Sequence, residues 1–405
     1  MTSRILAPSL GIIVGTSLAT TLAVVTVLKL LPDSRRPRTI PSPRETQVPY
    51  ISREEQEALP YPPDVLPGAR DVTSPYGTMR VYEWGPEAGR KVVLAHGIST
   101  PCIALSNVAH ALAEKGCRVL LFDLFGRGYS DSPELPHDSR LYATQILLAI
   151  TSSPLAWTPA GFSLVGYSLG GGIAADFAAS FPDLVKSIVL LAPSGLIKPH
   201  HFGWQSRFMY SGFLPASLLE WIVKGRLGGR PADRPVTKMG SEDDPSTGDE
   251  LKGNRDPRFE STVLMRSRPG YTVADVVSWQ IQHHAGFVRS FVSSMMFSAI
   301  ESPRPLWGKL GQRHEKILIL AGEEDPVILA AELREDAEDA IGSDKVDFRI
   351  VQGGGHEFPM NMPDATVREV IHPNDTKYRD FKRCNGPAEK ILSDVLPEVS
   401  SWYGG

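Results

Sequence analysis

The sequence predicts an α/β protein built on a doubly wound, mostly parallel sheet. Three observations carry that expectation. Short apolar runs recur along the chain, helical stretches separate them, and one Gly-rich turn joins such a run directly to a helix. Strands buried on both faces read as continuous apolar runs, and right-handed crossover helices set them side by side. Composition agrees: 42% apolar and 22% charged residues over 405 positions make a globular balance rather than a disordered one. The 42 basic and 46 acidic residues leave no electrostatic footprint for nucleic acid. Three cysteines, Cys102, Cys117 and Cys384, are too few and too scattered for a disulfide framework or a Cys-based zinc site.

From the N-terminus, Ile5 to Leu28 contains no ionisable residue. At about 1.5 Å per residue, such a helix spans the ~30 Å hydrocarbon core. A secretory signal would have a shorter apolar region and a small-residue cleavage site. This run ends instead in Lys29-Leu30-Leu31-Pro32. Residues 1–31 are therefore expected to form a single-pass transmembrane anchor with a short flank. Arg4 lies before it, and Lys29, Arg35, Arg36, Arg38 and Arg44 follow, so the positive-inside rule places the bulk of the protein in the cytosol. The sequon Asn374-Asp375-Thr376 points the other way. Residues 32–75 hold ten prolines and read as an extended, solvated linker.

The globular domain is expected over 76–405. Met79–Trp84 alternates as a strand does; Lys91–Ala95, Cys117–Leu124, Phe162–Tyr167, Ser187–Ala192, Lys316–Ala321 and Val346–Val351 read as buried strands. Helices are expected at Ile103–Lys115, Leu141–Thr151, Leu169–Ser180 and Leu329–Ala340. About 120 residues separate Pro193 from Lys316, far more than an ordinary connection. This insertion, about 195–315, reads as a lid. Its Gly/Pro/Asp-rich middle, about 225–258, is expected to be disordered. Thr272–Ile300 carries Val277, Ile281, Val288, Phe291 and Met295 at helical spacing and reads as one amphipathic helix over the sheet rim.

The chemistry begins at Gly166-Tyr167-Ser168-Leu169-Gly170, which follows one strand and opens the next helix. The glycines permit a sharp strand-to-helix turn that lifts the Ser168 hydroxyl clear of the sheet. A serine hydroxyl needs a base, and the base an orienting acid. Val351-Gln-Gly-Gly-Gly-His356 puts His356 just past the last strand. Gly322-Glu323-Glu324-Asp325-Pro326 offers three carboxylates after a neighbouring strand; Asp325 is the choice and Glu324 the runner-up. An oxyanion would be held by the amides of Leu169 and Ile98, the latter in His96-Gly97-Ile98-Ser99. His96 reads as structural, and the adjacent His283 and His284 point in different directions and make a poor metal pair. Neither a metal nor another cofactor is expected, because no Walker or dinucleotide fingerprint appears.

On these residues the chain resembles the α/β-hydrolase superfamily over roughly Tyr76 to Trp402. His96-Gly97, the Asp123-Leu-Phe-Gly126-Arg127-Gly128-Tyr-Ser130 loop, the Gly166–Gly170 elbow, and Asp325 followed by His356 occur in the family's order. It is similar to membrane-anchored, monoacylglycerol-lipase-like and carboxylesterase-like members. The resemblance implies Ser168 as nucleophile, His356 as base, Asp325 as orienting acid, and Ile98 and Leu169 as oxyanion donors. The elbow has no aspartate, which disfavours the epoxide-hydrolase and haloalkane-dehalogenase branches. The expected reaction is cleavage of a carboxylic ester with an apolar acyl group through an acyl-enzyme. Thioester or amide cleavage and acyl transfer are alternatives on the same triad, and a non-catalytic membrane-anchored scaffold is the alternative of another class. The expected partners are a small-molecule ester and the membrane.

Overall fold

The computed structural model describes residues 20–21, 38–198, 209–210, 214–228, 256–300, 302 and 304–370. Apart from Thr20 and Thr21, the expected anchor lies outside these residues, as do the sequon and most of the segment expected to be disordered. No helix among the described residues is long and apolar enough to cross a membrane.

From Thr39 the described elements are β1 (Thr39–Ile40), α1 (Pro43–Thr46) and α2 (Arg53–Glu57). It continues through β2 (Arg70–Ser74), β3 (Gly77–Trp84), β4 (Arg90–Ala95), α3 (Ser106–Glu114), β5 (Cys117–Phe122), β6 (Ser132–Pro133), α4 (Ser139–Thr151), β7 (Phe162–Tyr167), α5 (Leu169–Ser180) and β8 (Val185–Leu191). The insertion carries α6 (Ala216–Gly228), α7 (Pro257–Glu260), α8 (Val273–His283), α9 (Phe287–Phe297) and α10 (Arg304–Leu310). Then come β9 (Ile317–Gly322), α11 (Ala330–Ile341), β10 (Val346–Val351), α12 (Phe358–Asn361) and α13 (Pro363–Val370).

Eight strands form one sheet in the order β10-β9-β8-β7-β4-β5-β3-β2. The β2–β3 and β3–β5 pairs are antiparallel and the rest parallel. Every residue of β7 is buried, as expected of a central strand covered by helices on both faces. The strand order reverses beside β4, which lies between β5 and β7. A crevice at the carboxyl ends of such strands is where doubly wound sheets hold ligands.

Two expectations need correction. Residues 39–75 are not an extended linker, and the compact unit begins at Thr39 rather than at Tyr76. β1 pairs with β6, and β2 is an edge strand of the main sheet. The Asp131 carboxylate accepts from the amides of Ser42 and Thr78, both at 2.8 Å. Tyr61 is fully buried and donates to Asp123, with oxygen separations of 3.1 and 3.2 Å. The prolines here shape turns; the apolar anchors Val48, Tyr61 and Leu66 stand singly, so no periodic signal announces them.

The second correction concerns Thr272–Ile300, which is two helices. α8 stops where His284 adopts an extended backbone and turns inward, its Nε2 2.9 Å from the Ser130 carbonyl. Gly286 follows because a Cβ there would lie 2.4 Å from Ser132 Cβ. The apolar stripe survives the break, but its main partner is not the sheet rim. Ile281, Val288 and Phe291 form a separate small core with Leu219 and Val223 of α6. Residues 225–228, placed in the disordered segment by sequence, are the last turn of α6, and 256–258 lead into α7.

Candidate active site

The site forms at the carboxyl ends of β4, β7, β9 and β10. Ser168 stands between β7 and α5 with φ 52° and ψ −119°, a left-handed backbone that a non-glycine residue rarely adopts. The surrounding glycines follow from that turn. A Cβ on Gly166 would lie 2.2 Å from the Gly170 carbonyl oxygen, and one on Gly170 would lie 2.2 Å from that of Ala95. The close approach of helix to strand therefore leaves room for hydrogen only.

His356 lies beyond β10, and its Nε2 is 3.0 Å from Ser168 Oγ. Its Nδ1 is 2.8 Å from Asp325 Oδ2. The other carboxylate oxygen, Oδ1, accepts from the amides of Val327 and Ile328, each at 2.8 Å. These bonds fix the carboxylate, and the carboxylate calls for the tautomer with hydrogen on Nδ1 and a lone pair on Nε2. Asp325 and His356 are buried, while Ser168 is half-buried. The Tyr167 hydroxyl donates to the His356 carbonyl at 3.0 Å, and its ring lies 5.3 Å from the imidazole.

Glu324 does not join this line. It is exposed and pairs with Arg258 at 2.6 Å. Arg258 also reaches the buried Glu357 at 2.6 Å and donates to the Gly353 carbonyl. One arginine of α7 thus ties the loop bearing Asp325 to the loop bearing His356. Its own pKa is raised, first by the Glu324 hydrogen bond.

Leu169 is the first residue of α5, so its amide has no intrahelical acceptor. Ile98 lies in the loop after β4, half-buried between the main core and the core of the insertion. His96 shapes this loop. The Leu124 amide donates to its Nε2 at 2.8 Å, so its Nδ1–H points to the Gly97 carbonyl, also at 2.8 Å. Burial holds the His96 pKa down to about 3, making the ring a neutral bracket.

Sequence reasoning missed two contributors. Arg127 donates from Nε to the Ile98 carbonyl at 2.8 Å, and Gln280 of α8 donates to the Ser99 carbonyl at 2.9 Å. The Gly126-Arg127-Gly128 motif is visible in the sequence, but nothing in it says that the guanidinium turns inward. No group of three His, Cys, Asp or Glu residues suited to a metal occurs among the described residues.

A family model described as alpha/beta hydrolase fold matches residues 91–363. A serine hydrolase-like protein of Dictyostelium discoideum is 32% identical over 208 residues, covering 45% of this chain and 56% of its own length. A pimeloyl-[acyl-carrier protein] methyl ester esterase of Chromobacterium violaceum is 39% identical over 106 residues, covering 26% of this chain and 38% of its own. The chain thus spans about half or less of the curated relatives it matches. In fold it is similar to the 2-hydroxy-6-oxo-6-phenylhexa-2,4-dienoate hydrolase of Rhodococcus sp. strain RHA1, with a TM-score of 0.50, 16% identity and coverage of 75% and 97% of the two chains.

Proposed function

The chain belongs to the alpha/beta hydrolase fold family, and on that premise we propose that it is a serine hydrolase acting on a carboxylic ester. The observation that carries the reading is the continuous line Ser168 Oγ, His356, Asp325, with separations of 3.0 and 2.8 Å. Ser168 Oγ attacks the ester carbonyl as His356 Nε2 takes its proton. The tetrahedral oxyanion receives hydrogen bonds from the Leu169 and Ile98 amides. Collapse expels the alcohol, which takes the proton from Nε2, and leaves an acyl group on Ser168. Water, activated by the same imidazole, releases the acid and restores the serine. Asp325 accepts from the Nδ1–H of His356 throughout and steadies the imidazolium.

An apolar acyl group is proposed because Ile98, Val277 and Met295 stand between the two apolar cores and are only partly covered. The insertion would then act as a lid whose inner side lines an acyl channel. A single-pass anchor over 1–31 with the enzyme facing the cytosol is proposed on the uncharged run Ile5–Leu28 and the basic residues after it. Carbonate extraction and protease protection in sealed vesicles test it; a glycan on Asn374 would reverse the orientation.

Labelling by a fluorophosphonate, lost in Ser168→Ala, tests the nucleophile directly. Ester turnover in folded Ser168→Ala or His356→Ala should fall by about 10⁴-fold or more. Wild-type turnover in Ser168→Ala would end the serine-hydrolase reading, and a wild-type chain that never labels would favour the scaffold. Comparing kcat/KM for p-nitrophenyl esters of two to sixteen carbons tests the acyl group. A steady fall from acetate onward, unaltered in Phe291→Ala, would remove the apolar preference.

A further inference from the structure

Arg127 is fully buried, yet no ion pair of its guanidinium occurs among the described residues. A desolvated cation without a carboxylate is costly, and an apolar side chain would fill the same space more cheaply. Its bonds show where the guanidinium is engaged. Nε donates to the Ile98 carbonyl at 2.8 Å and Nη1 to the Phe125 carbonyl at 3.2 Å. Nη1 also donates to Ser290 Oγ at 2.6 Å, and Nη2 to Ser294 Oγ at 3.0 Å. Both serines are buried on α9, one turn apart, and Ser294 is held in turn by the Tyr142 hydroxyl at 2.7 Å.

The three successive carbonyls of the loop after β4 are each gripped by a different side chain. His96 holds Gly97, Arg127 holds Ile98, and Gln280 holds Ser99. Gln280 uses its other end to accept from the Gly128 amide at 2.9 Å, so the Arg127 loop and the Ile98 loop share one clamp. The Ile98 N–H shares one peptide plane with the Gly97 carbonyl held by His96. The Ile98 carbonyl held by Arg127 pins the next plane, so the residue cannot turn its N–H away about either end.

We propose that Arg127 is a positioning residue for the oxyanion hole, through which Ser290 and Ser294 of the insertion set the direction of the Ile98 N–H. This rests on the reading of Ile98 as an oxyanion donor. The planar fork is what the task requires: it meets two backbone carbonyls and two hydroxyls at once, which an ammonium cannot do in the same geometry. The insertion is therefore wired to the catalytic machinery.

The test compares Arg127→Lys and Ser294→Ala with the wild type, using a p-nitrophenyl ester and a matched pair of ketone inhibitors. A trifluoromethyl ketone forms a hemiketal whose oxyanion occupies the hole; the methyl ketone of the same chain binds without it. Arg127→Lys should lower kcat about tenfold or more while KM stays within about twofold. Its Ki for the trifluoromethyl ketone should rise by the same factor, with that for the methyl ketone unchanged. Ser294→Ala should show the same pattern at roughly threefold to tenfold, and it carries the test alone if Arg127→Lys does not fold. Wild-type kcat and trifluoromethyl ketone affinity in either folded variant would overturn the proposal. So would equal weakening of both ketones, which marks lost packing. Failure of the serine-hydrolase reading is a different result, namely undiminished turnover in Ser168→Ala.

Discussion

Asp325 and Glu324 are adjacent acids with opposite surroundings, and the contrast predicts how their variants divide. Asp325 is buried and spends both oxygens on named donors, whereas Glu324 is exposed and pairs with half-exposed Arg258. A solvated pair contributes little. Asp325→Asn should therefore lower kcat by about 10³–10⁴-fold, because the amide favours the wrong imidazole tautomer. Glu324→Gln should stay within about threefold of wild type. Steady-state kinetics on both folded variants checks this, and the reverse ranking would move the acid to Glu324. Ser168 and His356 were legible because glycines beside them announce tight turns. Asp325 was legible only through the strand before it and the proline after it. Arg127 and Gln280 were not legible, since a charged or amide side chain carries no mark of the interior it will enter.

Among the elements, the central strands could be read nearly residue by residue, since burial on both faces demands unbroken apolar runs. β2 could not. As an edge strand it alternates half-buried and exposed positions, and it lies among prolines that suggest a linker. The segment before it is held by single apolar anchors and by polar contacts, and neither has a sequence period. Asp131 makes one such contact: it is buried and accepts from the Ser42 amide of this segment and from the Thr78 amide of β3. Asp131→Ala should cost about 1–3 kcal/mol, because the buried Ser42 amide and the half-buried Thr78 amide lose their partner. Urea unfolding would measure it; a loss under about 0.5 kcal/mol would mean the segment docks without this residue. A chain beginning at Arg38 retains these contacts and should unfold like the parent domain, whereas one beginning at Tyr76 should not fold stably.

For the whole molecule, three buried histidines near Arg127 tie stability to pH. Burial, reinforced by the Arg127 charge, holds His96 and His137 down to about 3 and His284 to about 4. In the unfolded chain each titrates near the ordinary value of about 6.5. Between those values the unfolded state binds protons that the native state refuses. Stability is therefore complete above pH 6.5 and falls as pH drops through 6.5 toward 4. The decline should reach about 1.4 kcal/mol per pH unit for each histidine. Urea midpoints between pH 8 and pH 5 would report it, and a flat profile would show that these rings gain protons in the native state.

The clasp between residues 39–66 and the loops after β5 also orders events during synthesis. Ser42 waits for Asp131, 89 positions later, and Tyr61 waits for Asp123, 62 positions later. At about 5–20 residues per second, the emerging segment stays unsatisfied for several seconds. β2 and β3 can pair as a local hairpin in that interval, but β3 finds its other neighbour only when β5 has left the ribosome. Residues 39–122 are thus exposed to chaperones and to proteases before the fold can close around them. Stalled nascent chains ending before Asp123 should be cut readily between residues 39 and 66, and chains extended well past Asp131 should resist. Equal resistance at both lengths would mean that the segment is protected by contacts nearer in sequence.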